Sequence, residues 1–117
     1  MKPNIVKKKS FAFALEVIEL YKHLKEEKEF VISRQILRSA TSIGANIEEA
    51  GAAISKKDFI AKMAISSKEA RETNYWLRLI IQSRITRYHA LDKLQKDSEE
   101  LIKLLTAIIK TAQSSLK

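Results

Sequence analysis

A chain of 117 residues with 45% hydrophobic content is the right size for one domain that closes a single core without metal or disulfide. It has no cysteine, which removes disulfides, thiolate chemistry and zinc–cysteine sites, and two glycines with one proline are too few to punctuate an all-β or βαβ chain. Against 14 acidic residues stand 22 basic ones, and the formal net charge of +8 points to polyanionic partners.

Residues 1–9 read as a basic tail ending in Lys7, Lys8 and Lys9. The apolar run that follows imitates a secretory signal, but Glu16 and Glu19 cut it short. Ser10 is positioned to cap a first helix reaching about Glu27, with Phe11, Leu15, Ile18, and then Tyr21 and Leu24 or the Lys25 stem, on its buried face. After a charged connection, Ser33 is expected to cap a second helix whose seam is Ile36, Ala40, Ile43, Ile47, Ala50 and Ile54. Ser55 with Asp58 has the form of a capping box and opens a third helix, with Phe59, Met63, Ser66, Ala70, Thr73, Leu77 and Ile80 facing inward. A break at Arg84 to Arg87 precedes a fourth helix with Leu91, Leu94, Ser98, Leu101, Leu105, Ile108 and Ala112 in its seam.

Gaps alternating between three and four predict helices that pack at a shallow angle, and short connections make neighbours antiparallel. The expected fold is therefore all-α, an antiparallel up-down four-helix bundle forming one domain over residues 1–117. No uncharged apolar run approaches the ~20 residues of a membrane span. We expect a cytoplasmic protein without membrane association.

Between Val31 and Ile54 the charges are Arg34, Arg38, Glu48 and Glu49 alone, and opposite the isoleucine seam lie Arg34, Arg38, Ala45, Glu49 and Ala52. So sparsely charged a face suits burial against another subunit. Ile65, Trp76 and Leu79 on helix three, with Ile102, Leu104 and Ile109 on helix four, fall outside their seams and strengthen the expectation of a homo-oligomer. A cation on a face of small residues needs a partner, and Arg38 opposite Glu69 or Glu72 is the candidate ion pair, with Arg34 as a second cation of this kind.

Residues 55–84 hold seven basic and three acidic residues. On helix three Lys68, Arg71, Tyr75, Arg78 and Gln82 form a stripe turned away from the seam, where guanidinium groups can grip phosphates and a tyrosine can stack on an unpaired base. With Lys7, Lys8, Lys9, Lys56 and Lys57 they make the candidate nucleic-acid surface, reading the backbone more than the bases. No enzyme motif stands out. His23 and His89 have leucine and threonine three positions before them, so the Glu-x-x-His pairs of a di-metal bundle are missing. Glu16, Glu19, Glu48, Glu69 and Glu72 are the carboxylates such a site would have to gather. A non-catalytic protein without a cofactor is the reading.

The run Arg38-Ser39-Ala40-Thr41-Ser42-Ile43-Gly44-Ala45-Asn46-Ile47-Glu48-Glu49-Ala50, then Ser55-Lys56-Lys57-Asp58-Phe59 and Lys68-Glu69-Ala70-Arg71-Glu72-Thr73 through Trp76-Leu77, resembles the 23S rRNA intervening-sequence proteins, which are four-helix bundles. These are similar in turn to the accessory variability determinant protein of diversity-generating retroelements, which works with a reverse transcriptase and its RNA template. The resemblance implies a ring-shaped homopentamer, a nucleic-acid or reverse-transcriptase partner, and structural roles for Asn46 and Trp76 within the matched motifs. Where many relatives carry Ala-Glu-Gly, a bulky residue and Gly-Arg after the Asn-Ile pair, this chain has Glu48-Glu49-Ala50-Gly51-Ala52-Ala53 and lacks the basic residue.

Overall fold

The computed structural model describes residues 3–116, and its four helices are α1 (Pro3–Glu26), α2 (Ile32–Gly51), α3 (Lys56–Ser83) and α4 (Leu91–Ser114). Each helix packs on two neighbours, α1 on α2 and α4, and α3 on the same two, in a body measuring 50 × 20 × 19 Å. Cross-helix bonds set the directions. Ser66 Oγ donates to the Ile43 carbonyl at 2.8 Å and Thr73 Oγ1 to Ser39 Oγ at 2.8 Å, so numbers rise along α3 as they fall along α2. Lys9 against Glu100 and Lys93 against Glu16 make α1 and α4 antiparallel, as Lys56 against Ser115 and Asn74 against Ser98 do for α3 and α4. The up-down bundle expected from the spacing is the fold.

The seams of α2, α3 and α4 are those read from the sequence, with Ile36, Ile43, Met63, Leu77, Ile80, Leu94, Leu101 and Leu105 among the fully buried side chains. Each such burial is worth about 1.5 to 3 kcal/mol against exposure. Small residues let the helices close up: a Cβ added at Gly44 would lie 3.3 Å from Ser10 Oγ, tighter than an ordinary contact, so that hydroxyl would have to shift by a few tenths of an ångström. Phe59 and Ala112, at the outer ends of their seams, are only partly buried. Ile54 lies past the end of α2 and is 95% exposed, which takes it out of the seam where the sequence had put it.

Helix α1 departs most from expectation. It begins at Pro3, so the described part of the supposed basic tail, residues 3–9, is helical, and Val6 is buried as the first core residue. Ser10 is no cap; it is buried and donates to the Lys7 carbonyl at 3.0 Å. The true seam is Val6, Ser10, Phe13, Val17, Leu20 and Leu24, while Phe11 and Leu15, assigned to the core from their spacing, are 65% and 52% exposed. Two apolar rows run along this helix, and a serine read as a cap cuts the longer one.

The start of α2 is also set differently. Ser33 is buried, and its Oγ has no partner among the described residues. Instead the Glu29 carboxylate accepts from the Val31 and Ile32 amides, both at 3.2 Å, and from the Ser33 amide at 2.8 Å. A carboxylate there satisfies orphan donors and faces the positive end of the helix. Ser55 caps α3 as expected, accepting from the Asp58 amide at 3.0 Å, although the Asp58 carboxylate returns to the Ile54 amide, one residue earlier than in a strict capping box. Lys28 and Arg84 take left-handed conformations at the two longer joints, φ 65° and 57°, positions where glycine is the usual choice. Thr86 anchors the last joint, bonding to His23 Nε2 at 3.0 Å and donating to Glu27.

Candidate nucleic-acid interface

Helix α3 divides its outer surface lengthwise. Toward α2 lie Lys62, Glu69, Glu72 and Trp76; toward α4 lie Arg71, Asn74 and Arg78; between them Lys68, Tyr75 and Gln82 face outward, all three exposed or nearly so along the ridge. This follows from a 100° turn per residue counted from the buried seam.

The α2 side is an ion-pair network. Arg38 pairs with Glu72 and, at 3.5 Å, with Glu69, and Trp76 Nε1 donates to Glu72 Oε2 at 3.0 Å. This is the expected cross-helix pair. With half of the Arg38 side chain exposed, its worth is nearer the ~1 kcal/mol of a surface pair than that of a buried one. Lys62 meets Glu49 at 3.1 Å. Arg34, expected to behave like Arg38, is exposed and has no carboxylate partner among the described residues. Asn46 stays within its own helix, donating to the Ser42 carbonyl at 2.8 Å.

The α4 side has no such compensation. Lys68, Arg71 and Arg78 form no ion pair among the described residues. Arg78 Nε donates to Asn74 Oδ1 at 3.0 Å while Asn74 Nδ2 donates to Ser98 Oγ at 2.9 Å, so the guanidinium is steadied through a bond that crosses to α4. It lies 5.8 Å from the centroid of the Tyr75 ring, within cation–π range, and Tyr75 leaves much of its ring in solvent. The expected stripe exists as one exposed row.

The other candidate lysines do not join it. Three consecutive helical residues point 100° apart, and Lys7 turns to Glu48 on α2 at 3.3 Å while Lys9 turns to Glu100 on α4 at 3.3 Å. Lys8 is exposed beside Phe11. Helix α1 is diagonal to α3, so none of these extends the row. Lys56 donates to Ser115 Oγ at 2.6 Å, and Lys57 is exposed at the start of α3. The carboxylates considered for a metal are dispersed: Glu16 binds Lys93, Glu48 binds Lys7, Glu19 binds Lys22, and Glu69 and Glu72 bind Arg38. Among the described residues no three His, Asp or Glu side chains gather closely enough to hold a metal ion.

A model of the family described as 23S rRNA-intervening sequence protein matches residues 2–107. The chain belongs to that family. Among solved structures it is similar to a protein of unknown function from the S23 ribosomal protein family of Bacteroides thetaiotaomicron, with 53% identity and a TM-score of 0.88 over 94% of this chain and 99% of that one. No curated protein matches. In this member of the family, three residues that the sequence reading had passed over lie beside the basic row. Lys110, Gln113 and Ser67 border a cleft of about 420 Å³ between α3 and α4, together with Arg71, Thr106 and Ile109. Lys110 follows two seam-adjacent isoleucines in the sequence, and only the antiparallel alignment of α4 on α3 brings it to Arg71.

The apolar strips also settle differently. Trp76, Ile102, Leu104 and Ile109 pack against their own core. The exposed apolar residues include Ile65 and Leu79 on α3 and, on α1, Phe11 and Leu15, which border a groove of about 560 Å³ with Ala14, Ile18, Thr41, Gly44 and Ala45. No helix among the described residues is long and apolar enough to cross a membrane.

Proposed function

We propose that this chain is a non-catalytic, self-associating bundle that binds nucleic acid through the α3 row. The observation that carries the reading is Lys68, Arg71 and Arg78, exposed on one face without carboxylate partners, with the Tyr75 ring among them. Phosphates neutralise such cations, and the ring gives an unpaired base a surface to stack on. Single-stranded RNA, structured RNA and duplex DNA should each be titrated at low and near-physiological salt. Log affinity should fall against log salt by about 0.7 per phosphate on single strands and about 0.9 on duplex DNA. Replacing Lys68, Arg71 and Arg78 together by glutamate should weaken binding to every sequence. Equal binding by the variant and the wild type refutes the row; no binding at low salt leaves the bundle as a protein-docking scaffold.

Self-association rests on the groove beside Phe11 and Leu15. A lengthwise face of a 50 × 20 × 19 Å body has room for the roughly 800 Å² per partner of a stable interface. The α1–α2 face carries Lys8 and, in register with Thr41 and Ala45, Arg34, both without carboxylate partners among the described residues. The α2–α3 face that exposes Ile65 and Leu79 carries Glu49, Glu69 and Glu72 against Arg38 and Lys62. The groove face also carries Lys7 paired with Glu48, which leaves it net basic, whereas the α2–α3 face sets three carboxylates against two cations, so one copy's groove would suit the other face of the next. Such head-to-tail packing closes into rings when the rotation allows, and the resemblance sets the expected number at five. Light scattering at micromolar concentration should give a multiple of the 13.4 kDa chain. It should give the chain mass alone for the double variant Phe11→Glu, Leu15→Glu; a wild-type monomer refutes the association.

A further inference from the structure

We infer that the cleft between α3 and α4 seats one phosphodiester of a bound strand, held from opposite ends by Arg71 and Lys110. The inference rests on the nucleic-acid reading above and adds to it a place and a second helix.

Side chains on a helix lean toward its N-terminus. In an antiparallel pair this makes Arg71 reach back along α3 toward Ser67 and Lys110 reach back along α4 toward Thr106, the residues that lie between them in the cleft. Both line the cleft and both stems lead toward its middle. Neither has a carboxylate partner among the described residues. Ser67 and Gln113 also line this space and carry donor groups, whereas Thr106 Oγ1 is committed to the Ile102 carbonyl at 2.7 Å. A site lined by donors and cations, without a carboxylate, is built for an anion. The guanidinium fork pairs with two phosphate oxygens at once, while an ammonium acts as a point charge. The cleft is open to solvent, so the sugars attached to a seated phosphate need not be buried. Arg78 lies seven residues further along α3, about 10 Å, with Tyr75 between. A strand anchored in the cleft would thus pass an aromatic face and then a second guanidinium, which is why a nucleic-acid strand, and not an isolated phosphate, is the ligand.

A double-mutant cycle on a labelled single-stranded RNA of about 20 nucleotides tests the seat. Arg71→Ala and Lys110→Ala should each weaken binding about tenfold. The pair together should weaken it by clearly less than the product of the two, because both act on one phosphate. Arg78→Ala combined with Lys110→Ala, positions too far apart to share a phosphate, serves as the reference and should multiply. All three positions lie at the surface, and thermal melts should confirm unchanged folding. If wild type fails to bind at low salt, the nucleic-acid reading falls and the seat with it. If wild type binds and Lys110→Ala binds as tightly, or if the Arg71 and Lys110 losses multiply, the reading stands and the seat is overturned.

Discussion

Helix α4 borders two clefts, one toward α1 and one toward α3, and each receives two long cationic side chains. In the α1 cleft Lys9 meets Glu100 at 3.3 Å, and Lys93 meets Glu16 at 3.0 Å and Asp97 at 2.7 Å. The cleft is small, about 170 Å³, and has Phe13 and Leu101 in its lining. In the α3 cleft Arg71 and Lys110 meet no carboxylate among the described residues, and the space is more than twice as large. Similar helices with similar side chains thus serve two ends. Where cation and carboxylate alternate across a joint, charge helps to align the helices; where the only charged side chains are cations, the proposed bound strand is what would meet the charge.

The comparison can be broken most forcefully at its floor. Leu101→Ala removes a side chain that is 1% exposed and should cost about 2 to 5 kcal/mol in denaturant unfolding, since it leaves a cavity beneath the α1 cleft. A loss below about 1 kcal/mol would mean that this cleft contributes little to stability. Charge reversal is the next test. Lys93→Glu sets three carboxylates together and should destabilise by about 1 kcal/mol, a figure kept small because the side chain is mostly in solvent. Arg71→Glu should change stability by less than about 0.5 kcal/mol, as surface changes without a partner do. Equal losses from the two would erase the distinction.

The smallest effect concerns alkaline pH. Hydrogen bonds to Asp97 and Glu16 raise the Lys93 pKa above its usual 10.5. The stability from this pairing is complete below that value and is lost as pH rises through the folded-state pKa. Burial, with the nearby Glu19 and Glu16 charges, raises Tyr88 above 10.0, so above that pH the unfolded chain ionises more readily and stability falls further. Unfolding followed from about pH 9 to 12 should show wild type losing more stability than Lys93→Arg, whose charge persists. Parallel curves would show that the ammonium contributes nothing.

How much of this was legible follows from what each feature depends on. The α2, α3 and α4 seams obey a local period, and the family motif covers α2 and α3, so those elements and the Arg38 pairing could be read directly. On α1 two apolar rows share one helix, and a period cannot say which row faces the core; Ser10, assigned to a cap, hid the correct one. Glu29 was missed as the cap of α2 because it acts from three residues before the helix begins. The exposed row on α3 could be read because it lies on one helix. The cleft could not, since Arg71 and Lys110 are far apart in sequence and meet only once α4 is laid antiparallel on α3.

On this view α4 separates cations that hold the fold from cations that hold a ligand. The most direct test is the salt dependence of single-stranded RNA binding for two paired variants. Removing Arg71 and Lys110 should flatten the slope of log affinity against log salt by about 0.7 for each phosphate that is no longer neutralised, while removing Lys9 and Lys93 should leave the slope unchanged. Equal flattening by both pairs would contradict this separation, because the ion-paired lysines would then be binding phosphate as readily as the unpaired cations.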